Sequence, residues 1–271
     1  MAIKGIDVSK WQGDIDWGKV TDSGVEFAFI KLCNCWKDGT ITIDPMFTTN
    51  IKGALAAGLP VGAYAYMYTR DVQAATLAAQ NVVSALAASA SLLRLPVACD
   101  MEEAAVADTG RDNCTAMAVA WRDVLWSAGM VPSLYVNPNW LKNYINLPLD
   151  MSLWLAHYAT KPYCASDYWQ YTAKGRVPGI SGDVDLDWGY VEIADEVPAV
   201  SVTYDPQSDL EYLAKAGIID SPDIWLRILS GEITASVQNH IIPFIAKFRD
   251  AVEDKDHILD ELQDIIANHD D

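Results

Sequence analysis

Short apolar runs recur along the first two thirds of the chain, and longer segments with helical spacing separate the first of them. The runs cover residues 3–7, 26–32, 59–66, 95–102, 132–136, 152–156 and 168–171, and such lengths are typical of buried strands. The helical segments cover residues 45–57, 71–88 and 111–127. Buried strands that alternate with helices predict a parallel α/β sheet, and this many runs within roughly 195 residues favour a closed barrel over an open sheet. Because the helical segments shorten after Val136, we expect an irregular barrel.

Two carboxylates, Asp100 and Glu102, close the apolar run that begins at Leu95. In a strand, residues two apart point to the same face, so both acids would project together from its carboxyl end. A glycosidase needs one such group to keep its proton near neutral pH while a neighbouring carboxylate stabilises a cationic transition state. The pair is therefore a candidate catalytic site. On these two residues alone, a pair of solvated acids at a strand end is the alternative.

Two further acids occupy comparable positions far away in the sequence. Asp7 ends the run that starts at Ile3, and Asp185 lies in the acidic segment of residues 182–188. In parallel barrels the working residues stand at the carboxyl ends of the strands, so we expect all four acids to meet there. Asp7 and Asp185 would then hold the cluster together and raise the pKa of Glu102 through like-charge proximity.

A series of short motifs runs through the same part of the chain. They are GIDVSKWQG at residues 5–13, FIK at 29–31, DP at 44–45, AGLPVGAY at 57–64, DME at 100–102, LYVN at 134–137, LWLAHY at 153–158, WQY at 169–171 and VDLD at 184–187. In this order and spacing they resemble the motifs of the family 25 glycoside hydrolases, the muramidases of phages and bacteria. Each motif alone is weak evidence for the family, whereas the whole series in this order is specific evidence.

The resemblance implies a fold, an activity and a set of site residues. The fold is an irregular (β/α)5(β)3 barrel, and the activity is hydrolysis of the β-1,4 bond between N-acetylmuramic acid and N-acetylglucosamine in bacterial peptidoglycan. Glu102 corresponds to the general acid and base, Asp100 to the carboxylate that assists it, and Asp7 and Asp185 to the aspartates that complete the cluster. The implied substrate-binding residues are Tyr64, Trp11, Tyr135, Trp154, Tyr158 and Trp169. Because flat aromatic faces stack on the C–H side of pyranose rings, Trp11, Trp154 and Trp169 are expected to be sugar platforms.

Several alternatives stay open at the level of the sequence. The mechanism could use a covalent intermediate, direct attack by water, or attack by the acetamido oxygen of the substrate. The chain could also be an inactive sugar-binding barrel, or another glycosidase that acts on peptidoglycan or chitin. Two positions depart from the family pattern. Members often place a His directly after the tyrosine of the third strand, whereas this chain reads Tyr64-Ala65-Tyr66. Glu103 is an additional acid, and strand alternation would point it away from the site.

Composition limits the partners. The chain has 271 residues and 51% hydrophobic content, enough for a sizeable core, and its net charge of −18 argues against a nucleic-acid partner. No apolar stretch reaches the ~20 residues that span a membrane, and the amino terminus lacks the pattern of a signal peptide. The five cysteines have no metal-ligand spacing, so we expect no metal and no cofactor. An odd cysteine number agrees with a reducing cytoplasm. We therefore expect a phage endolysin, made in the host cytoplasm and released to the cell wall through a holin-type pore.

The chain changes character after about residue 195. We predict a catalytic barrel at residues 1–195, a linker at 196–204 and a helical C-terminal module at 205–271. The module could bind the cell wall through Tyr212 and Trp225. Alternatively, a heptad stripe from Ile241 to Ile266 could pair chains into a homo-oligomer, or form the core of an intramolecular three-helix bundle.

Overall fold

The computed structural model describes residues 2–87, 89–148 and 151–193. The chain separates into a unit of Met1–Ala199 and a second unit of Val200–Asp271, and every element named here belongs to the first unit. The predicted linker at residues 196–204 and the predicted module at residues 205–271, with its heptad stripe, lie outside the described residues and stay predictions.

Within the described residues, eight strands close into a barrel and one short strand extends its wall. They are β1 (Ile3–Val8), β2 (Phe27–Cys35), β3 (Ile41–Ile43), β4 (Val61–Met67), β5 (Val97–Asp100), β6 (Pro132–Val136), β7 (Ser152–Ala156), β8 (Tyr168–Gly175) and β9 (Val184–Gly189). The order around the barrel is β1, β9, β8, β7, β6, β5, β4 and β2, and the pairing of β2 with β1 closes it. Strand β9 is antiparallel to both of its neighbours, and β3 pairs antiparallel with the end of β2.

The helices cover the outside of the first part of the barrel. They are α1 (Trp17–Asp22), α2 (Phe47–Ala56), α3 (Val72–Leu86), α4 (Ala104–Ala107), α5 (Arg111–Ser127) and α6 (Pro138–Asn143). Local signals fix some of their starts: the Asp71 side chain accepts a hydrogen bond from the backbone of Ala74 at the start of α3, and Asn137 followed by Pro138 begins α6. The order of strands and helices gives five β/α units followed by β7, β8 and β9, which confirms the predicted irregular (β/α)5(β)3 barrel.

Strand alternation separates two buried clusters. Phe27 and Phe29 of β2 pack with Tyr168 and other rings in a cluster inside the barrel, whereas the intervening Ala28 packs in the larger cluster that includes helix residues. Gly5 of β1 lies against the Phe27 ring, where an added Cβ would collide with it. The aromatic cluster therefore fills the interior below the carboxyl ends of the strands, where the polar residues gather.

None of the helices in the described part of the chain combines the length and the apolar character needed to cross a bilayer.

Candidate active site

A cavity of about 300 Å³ opens at the carboxyl ends of the parallel strands. Its lining residues are Asp7, Val8, Ser9, Trp11, Gln12, Lys31, Tyr64, Tyr66, Asp100, Glu102, Tyr135, Trp154, Tyr158, Gln170 and Asp185. All four acids predicted from the sequence are among them. Five of the six predicted substrate-binding aromatic residues are also present, and Trp169 is not.

Strand pairing brings the remote acids together. Asp7 on β1 lies directly opposite Asp185 on the antiparallel strand β9, so both side chains occupy the same face of the sheet. Asp100 is the last residue of β5, and Glu102 follows just beyond the strand. The backbone N–H of Met101 donates to the carbonyl of Tyr135 at 3.0 Å, which holds this irregular segment against the end of β6.

Burial governs the ionisation of the Asp100 and Glu102 pair. Loss of solvent is the largest cause that raises the pKa of Glu102, while the ammonium group of Lys31 opposes it and Asp185 adds a smaller increase. Burial also raises the pKa of Asp100 well above its usual range, and the neighbouring Glu102 adds to this effect. The like-charge contribution expected from the sequence is therefore present from Asp185, but its effect on the pKa of Glu102 is smaller than that of burial.

Three further acids, Asp7, Asp185 and Asp187, lie on β1 and β9. Burial raises the pKa of Asp7 well above its usual range, with further increases from Asp187 and Asp185. Asp187 is 1% exposed and accepts a hydrogen bond from the indole Nε1 of Trp154 at 2.8 Å. Burial raises the pKa of Asp187 to about 7 and that of Asp185 to about 6. The neutral forms of these acids are consequently more favourable here than in water.

The side chain of Gln170 connects the acids to the aromatic wall. Its amide Nε2 donates to Asp7 Oδ2 at 2.7 Å. Its Oε1 accepts two hydrogen bonds, from the Tyr135 hydroxyl at 3.0 Å and from the Tyr158 hydroxyl at 2.8 Å. Each tyrosine hydroxyl has a single proton, and that proton points at Gln170, so both oxygens present lone pairs to the remaining space.

The predicted sugar platforms occupy three different settings. Trp11 is 79% exposed at the cavity edge, with the Lys10 ammonium 5.0 Å from its ring centroid. Trp154 is 1% exposed and stacks on Phe29, with ring centroids 4.3 Å apart. Its prediction as a platform is therefore wrong in this respect: Trp154 is part of the cavity wall and supports Asp187 through its N–H.

Trp169 lies on the opposite face of β8 from the cavity. Its neighbour Gln170 points inward to Asp7, and strand alternation turns Trp169 outward, where its Nε1 donates to the carbonyl of His157 at 2.7 Å. The prediction that Trp169 lines the groove is corrected. The resemblance identified the motif, and the face of each residue within it depends on the register of β8.

Several residues in or beside the cavity were not assigned a role from the sequence, among them Lys31, Tyr66, Gln170 and Asp187. Alternation within β2 could have found Lys31, since it follows the inward-facing Phe27 and Phe29 at intervals of two. The Tyr66 hydroxyl donates to Glu103 Oε2 at 3.2 Å, and Glu103 itself is not part of the cavity lining, in keeping with its expected direction.

The arrangement can perform acid–base chemistry on a neutral polar chain. The Glu102 carboxyl group, whose pKa is raised, stands beside the buried Asp100, and Lys31 lies close enough to moderate their charge. The Oδ1 atom of Asp100 is buried without a hydrogen-bond partner among the described residues, so it is available to a bound molecule. In the described part of the chain, no group of histidine, cysteine and acidic residues has the arrangement of a metal site.

Comparisons with known proteins agree with this geometry. Residues 6–180 match the sequence model of the family described as "Glycosyl hydrolases family 25". The autolytic lysozyme of Clostridium acetobutylicum is 30% identical over 189 residues, which covers 68% of this chain and 55% of that protein. The chain thus spans about half the length of this relative.

Solved structures share the fold. A family 25 glycosyl hydrolase from Bacillus anthracis has a TM-score of 0.60 at 25% identity, covering 70% of this chain and 89% of that one. The catalytic domain of endolysin ply40, from bacteriophage P40 of Listeria monocytogenes, has a TM-score of 0.60 at 24% identity, covering 71% of this chain and 95% of that one.

Proposed function

The chain belongs to glycosyl hydrolases family 25, and on this premise we propose that it is a lysozyme that hydrolyses the glycan strands of bacterial peptidoglycan. The observation that carries the proposal is the meeting of Asp7, Asp100, Glu102 and Asp185 in one cavity. An inactive sugar-binding barrel would have no need for four acids in one cavity, two of them buried, since buried carboxyl groups lower stability when they ionise.

Glu102 is the proposed general acid. It is the last acid of the DME motif, it lines the cavity, and burial raises its pKa, which favours the protonated form that a departing sugar oxygen needs. The bond cleaved would be the β-1,4 link from N-acetylmuramic acid to N-acetylglucosamine. The nearby Lys31 lowers the pKa of Glu102. This allows the same group to lose its proton during turnover and then act as a base.

Asp100 is the proposed orienting group. Its unpartnered Oδ1 can accept a hydrogen bond from a substrate N–H, such as that of an acetamido group, or from the Glu102 carboxyl group. Asp185 lines the cavity, and in its ionised form its negative charge would stabilise a cationic sugar in the transition state. Asp7, which accepts a hydrogen bond from Gln170, lies opposite Asp185 and would fix the position of its carboxylate.

The product ends test the proposal directly. Purified peptidoglycan is digested with the chain, the new reducing ends are reduced with borohydride, and the amino sugars are identified after hydrolysis. Reduced muramic acid supports the proposed bond. Reduced glucosamine would show a different glycosidase, and released peptides without new sugar ends would show a different chemistry.

We also propose that the chain acts as a phage endolysin, made in the host cytoplasm and released through a membrane pore. All five cysteines are free thiols, four of them buried, as suits synthesis in a reducing compartment. The chain is expressed in the cytoplasm of a bacterium whose purified wall it digests, with and without a holin-type pore protein. Lysis that requires the pore supports the role, and lysis without it contradicts the proposed release step.

A further inference from the structure

The hairpin formed by β2 and β3 extends the barrel wall beyond the cavity and carries an aromatic stack. Trp36 follows the end of β2, and Tyr68 follows the end of β4. Their rings stack with centroids 5.0 Å apart and planes 11° apart. Tyr68 also contacts Tyr66, a residue of the cavity lining, at 4.9 Å between centroids. The stack therefore begins at the cavity and ends at Trp36.

Strand register places Trp36 on the same face as the cavity. Lys31 of β2 lies opposite Tyr64 of β4, and both line the cavity. A bulge follows Lys31, after which Asn34 lies opposite Tyr66. Two residues further along each strand come Trp36 and Tyr68, and a step of two residues returns to the same face of a sheet.

Several hydrogen bonds hold the hairpin in place. The Trp36 indole Nε1 donates to Thr42 Oγ1 at 2.8 Å, and its backbone N–H donates to the carbonyl of Thr40 at 2.8 Å. At the tip, the carbonyl of Gly39 accepts from Asn81 Nδ2 of α3 at 3.0 Å. The Trp36 ring is thus fixed before any ligand arrives, which lowers the entropy cost of binding.

Of the three rings, Trp36 at the end of the stack is the most exposed. The Tyr66 ring has the Lys31 ammonium 4.9 Å from its centroid on one side and contacts Tyr68 as well. Tyr68 lies between Tyr66 and Trp36. Trp36 is 40% exposed although Tyr68 stacks on one of its faces, so part of the side chain remains accessible to a ligand.

We propose that Trp36 is an additional sugar-binding subsite, which holds a pyranose of the same glycan strand outside the cavity. The inference rests on the proposed function and names a part of the substrate that the cavity itself does not reach. A flat, exposed indole ring suits the C–H side of a sugar ring. The rings of Tyr66, Tyr68 and Trp36 give the glycan strand a continuous path from Glu102 to this subsite.

Binding of glycan fragments of increasing length tests the subsite. Each protein carries Glu102→Gln so that it binds without cutting, and titration calorimetry measures fragments of one to four disaccharide units. Trp36→Ala is compared with Trp126→Ala, which removes a tryptophan of similar exposure from the outer helix α5. We expect Trp36→Ala to weaken binding of the longest fragment about five- to tenfold and to leave the shortest fragment unchanged. Trp126→Ala should change neither.

The other outcomes separate the subsite from the proposed function. Equal loss on short and long fragments would mean that Trp36 supports the cavity and does not bind sugar, and no loss on any length would also overturn the subsite. Both results leave the lysozyme proposal intact. If Glu102→Gln alone binds no fragment, both proposals fail together. Trp36→Phe, which keeps a flat ring, should retain part of the length-dependent affinity, whereas a purely structural role predicts no dependence on length.

Discussion

The amide group of Gln170 sets the direction of three hydrogen bonds in the active site. An amide nitrogen can only donate and an amide oxygen can only accept. The amide nitrogen therefore donates a hydrogen bond to Asp7, and the amide oxygen accepts one from each of the two tyrosine hydroxyls. The side chain is 3% exposed and its partner Asp7 lies 163 positions away in the sequence. Such long-range contacts explain why the motif could be recognised from the sequence while the role of this residue could not.

Replacing Gln170 by leucine removes these three hydrogen bonds from a buried position. We expect kcat/KM on purified wall to fall about 10- to 100-fold, because the hydroxyl and carboxyl groups lose their partners and their fixed directions. Gln80→Leu on the exposed side of α3 is the matched control and should stay within about twofold of the parent. Equal activity of both variants would show that Gln170 does not position the site.

At the scale of elements, strands with strong patterns were predicted well and short ones were missed. The bounds of β6, β7 and α5 agree with the sequence-based prediction, because uniform apolar runs and a long amphipathic helix have clear ends. Strand β3 has three residues and α4 has four, too few to show any period. The site shows a different limit. The acids at the strand ends were found from their positions in the sequence, whereas the outward direction of Trp169 depends on the register of β8.

Strand β9 places two acids side by side against β1, and this pair should make stability depend on pH. The folded-state pKa values of Asp185 and Asp187, about 6 and about 7, lie above the unfolded value near 4. Stability from their neutral forms is therefore complete below about pH 4 and declines as the pH rises through 6 and 7. We expect the thermal midpoint to fall by several degrees between pH 5 and pH 8.

Asp187→Asn tests this dependence, since asparagine stays neutral and its oxygen can still accept from Trp154. The variant should lose less stability than the parent between pH 5 and pH 8 in calorimetric scans. Asp22→Asn at the exposed end of α1 serves as the control and should follow the parent curve. A parent midpoint that rises with pH across this window would contradict the assignment of buried neutral acids.

At the scale of the whole molecule, the chain joins a barrel with an active-site cavity to a C-terminal segment whose role is still a prediction. The sequence predicts either a wall-binding module or a homo-oligomer through the heptad stripe at residues 241–266. A net charge of −18 gives no attraction to anionic wall polymers, so any targeting would depend on specific contacts.

Light scattering on the intact chain and on a version that ends at Val200 separates these alternatives. Assembly through the heptad stripe predicts a multiple of the 29.7 kDa chain mass for the intact protein and a monomer for the shortened one. Monomers in both samples would end the assembly hypothesis. Weaker binding of the shortened protein to intact walls would then support the wall-binding module.

The central claim is that Glu102 supplies the proton that releases the sugar, and one pair of neighbouring substitutions tests it most directly. Initial rates on purified peptidoglycan are measured for Glu102→Gln and for Glu103→Gln, which changes the adjacent acid outside the cavity lining. Glu102→Gln should lower kcat by about 10²- to 10⁴-fold with binding retained, as expected for loss of a general acid, while Glu103→Gln should keep most of the activity. A Glu102→Gln protein that cuts peptidoglycan at nearly the parent rate would contradict the account.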